Sequence, residues 1–102
     1  MFDFLKKILG GSSNSANIKE IVSAGAVIID VRSPGEFAGG HAKGAVNIPL
    51  DTLANNLKKI KGYNKPVVLC CASGMRSSRA KGILTSKGIE NVHDAGSWVN
   101  LR

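Results

Sequence analysis

Two runs of consecutive apolar residues, Ala26-Val27-Ile28-Ile29-Asp30-Val31 and Pro66-Val67-Val68-Leu69-Cys70, constrain the fold of this chain more than any other feature. A strand with one wet face alternates apolar and polar side chains; these runs, rich in Val and Ile with one charge between them, suit strands buried on both faces of a parallel sheet. Parallel neighbours need a crossover, usually helical, and the intervening segments carry helical patterns. Asn17 is placed to cap a short helix with Ile18, Ile21 and Val22 on one face, stopped at Gly25. Ser33-Pro34-Gly35-Glu36 has the form of a capping box, opening a helix that Gly39 and Gly40 end. Ala45-Val46-Asn47-Ile48 reads as a short strand. Leu50, Leu53, Leu57 and Ile60 then recur at three- and four-residue steps, predicting a helix whose polar face carries Asn55, Asn56, Lys58 and Lys59. Ser77 to Lys87 reads as a helix with Ala80, Ile83 and Leu84 inward and Gly88 as its stop, and Val92-His93-Asp94-Ala95 as the last strand. The alternation predicts an α/β fold: a compact three-layer arrangement with a central, mainly parallel sheet and helices on both faces.

At 102 residues the chain has room for one hydrophobic core. Gly10-Gly11-Ser12-Ser13-Asn14-Ser15 is a small polar linker. It divides an N-terminal segment, residues 1–15, from the domain, residues 16–102. In the first of these, Met1, Phe4, Leu5 and Ile8 share one face of a short amphipathic helix, while Lys6 and Lys7 interrupt the apolar run that a signal peptide would need. No stretch is long enough to cross a bilayer as a helix. The two cysteines are adjacent, with Cα atoms about 3.8 Å apart, short of the usual disulfide range of roughly 4.4–6.8 Å. A chain without a disulfide framework suits a reducing compartment, and the expected location is cytoplasmic. The formal charge is +7, but the lysines are scattered and only Lys58, Lys59 and Lys61 bunch. The expectation is a solvated basic surface, or a field that attracts small anions, and no nucleic-acid footprint.

The chemistry concentrates in Cys70-Cys71-Ala72-Ser73-Gly74-Met75-Arg76-Ser77, beyond the carboxyl end of a predicted strand, where open parallel sheets bind ligands. Loop N–H groups and a helix N-terminus there favour negative charge and raise the thiolate fraction of a cysteine. Arg76, with Arg79 one turn on, adds a forked cation for an oxyanion, and Gly74 permits the backbone angles that a ring of inward N–H groups requires. Cys70, last in an apolar run, reads as a buried small hydrophobe, whereas Cys71 opens the loop.

Three ordered blocks resemble the rhodanese family of sulfurtransferases. Ile28-Ile29-Asp30-Val31-Arg32-Ser33-Pro34-Gly35-Glu36-Phe37 is similar to its IDVRxxxEF signature. Gly40-His41-Ala42-Lys43-Gly44-Ala45-Val46-Asn47-Ile48-Pro49 is similar to GHIxGAxNIP, with Ala42 replacing the usual isoleucine. Cys71 to Ser77 is similar to the CxxGxRS loop. The resemblance covers roughly residues 17 to 98 and implies that Cys71 is the nucleophile and takes a sulfane sulfur as a persulfide from a small anionic donor such as thiosulfate. A thiol or cyanide acceptor then removes it, in two covalent half-reactions. Arg76 would orient the donor, and the backbone of Ala72, Ser73, Gly74, Met75, Arg76 and Ser77 would stabilise the persulfide. Neither metal nor organic cofactor is implied. A protein sulfur acceptor is compatible with the basic surface.

Asp30, Arg32 and His41 fall on the same edge in supporting roles: Asp30 and Arg32 as an ion pair or backbone brace, His41 as a loop-bracing hydrogen bond. Glu36 is accounted for by the capping box, and His93 carries no functional expectation. Only four residues follow Trp98, which leaves one side of the sheet less covered and the chain a monomer or weak homodimer; Ser97 and Trp98 lie near the pocket in this reading. Two rivals stand beside it. Cys70 to Arg76 satisfies C-x5-R, the spacing of cysteine-dependent phosphatases, although Gly74 falls one place late for the CxxGxxR form. A non-enzymatic persulfide carrier or binding module would keep the same cysteine and arginine.

Overall fold

The computed structural model describes residues 15–102; the expected N-terminal helix and most of the linker lie outside the described residues. Helix α1, Ser15–Ser23, leads to strand β1, Val27–Asp30, then helix α2, Pro34–Ala38, and the two-residue strand β2, Val46–Asn47. A 3-10 helix, Leu50–Asn56, continues into helix α3, Leu57–Tyr63. Strand β3, Val67–Cys71, helix α4, Met75–Ser86, strand β4, Val92–Ser97, and a terminal 3-10 turn, Trp98–Leu101, complete the chain. The four strands form one parallel sheet in the order β2-β1-β3-β4.

Period-two alternation distributes the apolar runs to both faces of this sheet. Ile29, Val31, Val67, Leu69 and Cys71 face Leu53, Ile60, Ala80 and Leu84 from the 3-10 helix, α3 and α4. Ile28, Val68 and Cys70 face Ile18, Ile21 and Val22 of α1 together with Trp98 and Leu101. The three-layer expectation holds. The face expected to be less covered is closed by α1 and by the short turn that follows β4.

Several boundaries differ from those read in the sequence. Helix α1 begins at Ser15, which places Asn17 inside its first turn and not at the cap; Gly25 does take the left-handed stop, at φ +112°. The helix expected from Leu50 opens as 3-10, because the Pro49 carbonyl accepts both the backbone N–H and the hydroxyl of Thr52 at 2.9 Å, while the Asn56 side chain donates to the Thr52 carbonyl at 2.8 Å. Such side-chain bonds compete with the α-helical ladder. Strand β4 runs two residues beyond Ala95 and carries a bulge: Leu69 pairs with Asp94 and Cys71 with Ser97, so one residue on β3, Cys70, opposes two on β4, Ala95 and Gly96. Gly96 supplies the left-handed angle, φ +75°, and its N–H donates to Asp94 Oδ1 at 2.9 Å.

Candidate active site

The bulge keeps β3 paired through Cys71, which corrects the expectation that this residue opens the loop: both cysteines end the strand, and both are buried. Alternation sends them to opposite faces. Cys70 packs with Ile28, Val68 and Ala42, and burial, reinforced by the Asp30 carboxylate, pushes its thiol up to about 12. Cys70 is thus a buried core residue, a placement that weighs against the C-x5-R reading.

Cys71 sits where β3 turns into α4. Gly74, at φ +106°, folds the chain back so that the Gly74 N–H donates to Cys71 Sγ at 3.0 Å and the Ser77 N–H at 3.3 Å. The thiol itself lies 3.5 Å from Ser77 Oγ, which donates on to the Gly74 carbonyl at 3.1 Å. Burial raises the Cys71 pKa, but the Ser77 hydroxyl and the amides of Ser77, Gly74 and Arg76 more than offset it and hold the thiol below its ordinary value. Two backbone N–H groups, those of Gly74 and Ser77, converge on the sulfur with the Ser77 hydroxyl beside it, an arrangement that favours the anionic form. Ala72, Ser73 and Met75 are exposed, and none of the three side chains takes part in this network. Ser77→Ala therefore removes the largest favourable contribution. Its expected result is a pH midpoint for Cys71 alkylation shifted upward relative to the parent protein; an unchanged midpoint contradicts the role of the hydroxyl.

The Arg76 side chain does not face this sulfur as an open fork. It pairs with Glu36 of α2, Nη1 to Oε1 at 2.7 Å and Nη2 to Oε2 at 3.0 Å. Glu36 also completes the capping box, its Oε1 accepting from the Ser33 N–H at 3.0 Å while Ser33 Oγ accepts from the Glu36 N–H. The Arg76 bonds, aided by those from Ser33, lower the Glu36 carboxyl to about 2. The pair consequently stays charged from neutral pH down through the usual carboxylate range and opens only as pH falls towards 2. Reading Glu36 as a cap alone missed this partnership, and only the proximity of the N-termini of α2 and α4 reveals it.

The supporting residues assemble one layer below. The Asp30 carboxylate receives the Arg32 guanidinium, Nη2 to Oδ2 at 2.7 Å and Nε to both oxygens at 3.0 Å, with side-chain exposures of 0% and 6%. Arg32 Nη2 continues to the Gly40 carbonyl at 2.7 Å, and the guanidinium lies 4.8 Å over the Trp98 ring. The pair thus ties the strand end to the segment after α2. Trp98 reaches this brace and not the sulfur. His41 is exposed, stacked on Phe37 with ring centroids 3.7 Å apart, its Nδ1 bonded to the Phe37 carbonyl at 2.8 Å. Among the described residues no cluster of three or more His, Cys, Asp or Glu side chains is arranged to hold a metal, and no helix is long and apolar enough to cross a membrane.

Comparison with known proteins places this geometry in context. The family model described as a rhodanese-like domain matches residues 14–100. The chain is 44% identical to the uncharacterized protein YqhL of Bacillus subtilis over 69 residues, 68% of this chain and 54% of that one, so it spans little more than half of that relative. It is 36% identical to the thiosulfate sulfurtransferase PspE of Escherichia coli, over 72% of this chain and 71% of that protein. Its structure superimposes on the human single-domain sulfurtransferase TSTD1 with a TM-score of 0.71 at 27% identity, covering 83% and 88% of the two chains. With its parallel sheet, its strand-end cysteine and these relatives, the chain belongs to the rhodanese-like domain family.

Proposed function

We propose that this protein is a sulfurtransferase that carries a sulfane sulfur on Cys71. The observation that supports it most is the convergence of the Gly74 and Ser77 amides on Cys71 Sγ, which favours an anionic sulfur. The Cys71 thiolate attacks the outer sulfur of thiosulfate, the S–S bond of the donor breaks, and sulfite leaves with the bonding pair. The terminal sulfur of the resulting persulfide carries the charge formerly on Cys71, and the loop amides hold it without reorganisation. Cyanide or a thiolate then attacks that terminal sulfur and Cys71 regains its electron pair. Names borne by relatives, such as the thiosulfate sulfurtransferase PspE, agree with this class of donor. Two free thiols suit a reducing compartment, and we assign the protein to the cytoplasm.

In this reading Arg76 meets the donor sulfite group at the mouth of the loop, and Glu36 competes with it for the same fork. Formation of thiocyanate from thiosulfate and cyanide is the expected activity; its absence contradicts the proposal. Arg76→Ala is expected to raise the KM for thiosulfate on the order of tenfold, the scale of a charged hydrogen bond. Glu36→Gln keeps a capping-competent side chain and is expected to lower that KM about two- to fivefold, the scale of an exposed ion pair. Unchanged donor kinetics in both variants would remove Arg76 and Glu36 from donor binding.

A further inference from the structure

A cleft of about 670 Å³ lies between the start of α2, the 3-10 helix and the first turns of α4. Its volume falls within the range of small-molecule sites, roughly 300–1,000 Å³. Val31, Pro34, Pro49 and Leu50 give it an apolar lining, and two charged side chains of opposite sign, Arg79 and Asp51, line it as well. Both are exposed, and among the described residues neither side chain makes an ion pair or hydrogen bond, not even with the other. This sets them apart from the other charged groups of this edge: Arg76 is held by Glu36 and Arg32 by Asp30. The cleft also adjoins the reactive loop. The Arg76 side chain forms part of its wall, and Val31, whose N–H donates to the Cys70 carbonyl at 3.0 Å, packs in the same cluster as Cys71.

An uncommitted cation and an uncommitted anion over an apolar lining complement a small molecule that carries both charges. We propose that this cleft seats the sulfur acceptor, and that the acceptor is a zwitterionic amino-acid thiol of the cysteine class, with its carboxylate on Arg79 and its ammonium on Asp51. The transfer step rests on the persulfide reading: the acceptor thiolate attacks the terminal sulfur of Cys71-S-S, that S–S bond breaks, Cys71 leaves as thiolate, and the product is the amino-acid persulfide. Sulfur, charge and electrons balance with no further oxidant or reductant.

Two readouts test the site. The first needs no sulfur transfer: S-methylcysteine, which cannot accept sulfur, is titrated against the isotopically labelled protein, with 2-(methylthio)ethanol as the uncharged control. Amide shifts at Asp51, Thr52 and Arg79 are expected with S-methylcysteine only, and are expected to weaken about three- to tenfold in Arg79→Gln or in Asp51→Asn. Absence of these shifts, equal shifts with the control, or full retention in both variants would overturn the assignment. The second readout follows discharge of persulfide-loaded protein by cysteine, 3-mercaptopropionate, cysteamine and 2-mercaptoethanol, each as a variant-to-parent ratio so that intrinsic thiol reactivity cancels. Arg79→Gln is expected to slow the two carboxylate-bearing thiols and Asp51→Asn the two ammonium-bearing ones; a uniform ratio across the four thiols contradicts the proposal. Failure of thiosulfate to load Cys71 would count against the sulfurtransferase reading and leaves the titration to decide the cleft.

Discussion

Replacing Cys71 by Ser is expected to reduce thiocyanate formation by about 10³-fold or more, the scale on which covalent catalysis fails when its nucleophile is deleted, whereas Cys70→Ala is expected to retain activity within about threefold. The contrast follows from the sheet. Cys71 leaves β3 on the face shared with Leu69 and ends among donors from Gly74 and Ser77. Cys70, one residue earlier, is fully enclosed on the other face with Ile28 and Val68 and has its thiol pushed up to about 12. A hydroxyl in place of the Cys71 sulfur keeps the shape of the site but is a far weaker nucleophile at neutral pH. Parallel losses in the two variants would show that the doublet acts as one unit. A loss confined to Cys70→Ala would transfer the chemistry to the other face of the sheet.

The second large effect concerns stability. Asp30→Ala is expected to destabilise the fold by about 3–5 kcal/mol, because it strips a buried guanidinium of its carboxylate. Arg32 would retain bonds to the Gly40 and Glu36 carbonyls and its stacking on Trp98, none of which neutralises its charge. In a domain of this size each kcal/mol shifts the melting temperature by about 4–8 °C, so a fall of at least ~12 °C is expected in thermal unfolding. A change of only ~2 °C, within the effect of an ordinary surface substitution, would mean that the pair is exposed to water in solution and braces nothing.

The layers of this fold were legible because its strands are buried on both faces. No pattern other than runs such as Val67-Val68-Leu69 fits a parallel sheet so well, and the capping box at Ser33 and Glu36 appears at the expected residues. The assignment of Cys71 to the loop was less accurate, since a bulge in β4 at Gly96 extends the pairing of β3 by one residue, and a bulge leaves little trace in a sequence beyond a glycine. Local signals also could not disclose contacts between distant segments. Glu36 and Arg76 are forty positions apart, and each has a sufficient local explanation, a cap and an anion fork, that conceals their pairing. The opposed charges of Asp51 and Arg79 were invisible for the same reason, because only the crossing of the 3-10 helix past α4 brings them to one cleft. What the sequence did carry was Gly74 for the backbone turn and Ser77 as a loop amide, both found at the sulfur, whereas the Ser77 hydroxyl emerges only from the structure.

The central claim, that this loop exists to hold a transferable sulfur on one cysteine, is tested most directly by mass. Protein incubated with thiosulfate and then digested without reductant is expected to carry a single extra sulfur on the peptide containing the doublet, with fragmentation assigning it to Cys71 and subsequent cyanide removing it. The adduct should survive in Cys70→Ala and vanish in Cys71→Ser. An extra sulfur on Cys70, or an unmodified doublet after full exposure to the donor, would contradict the account.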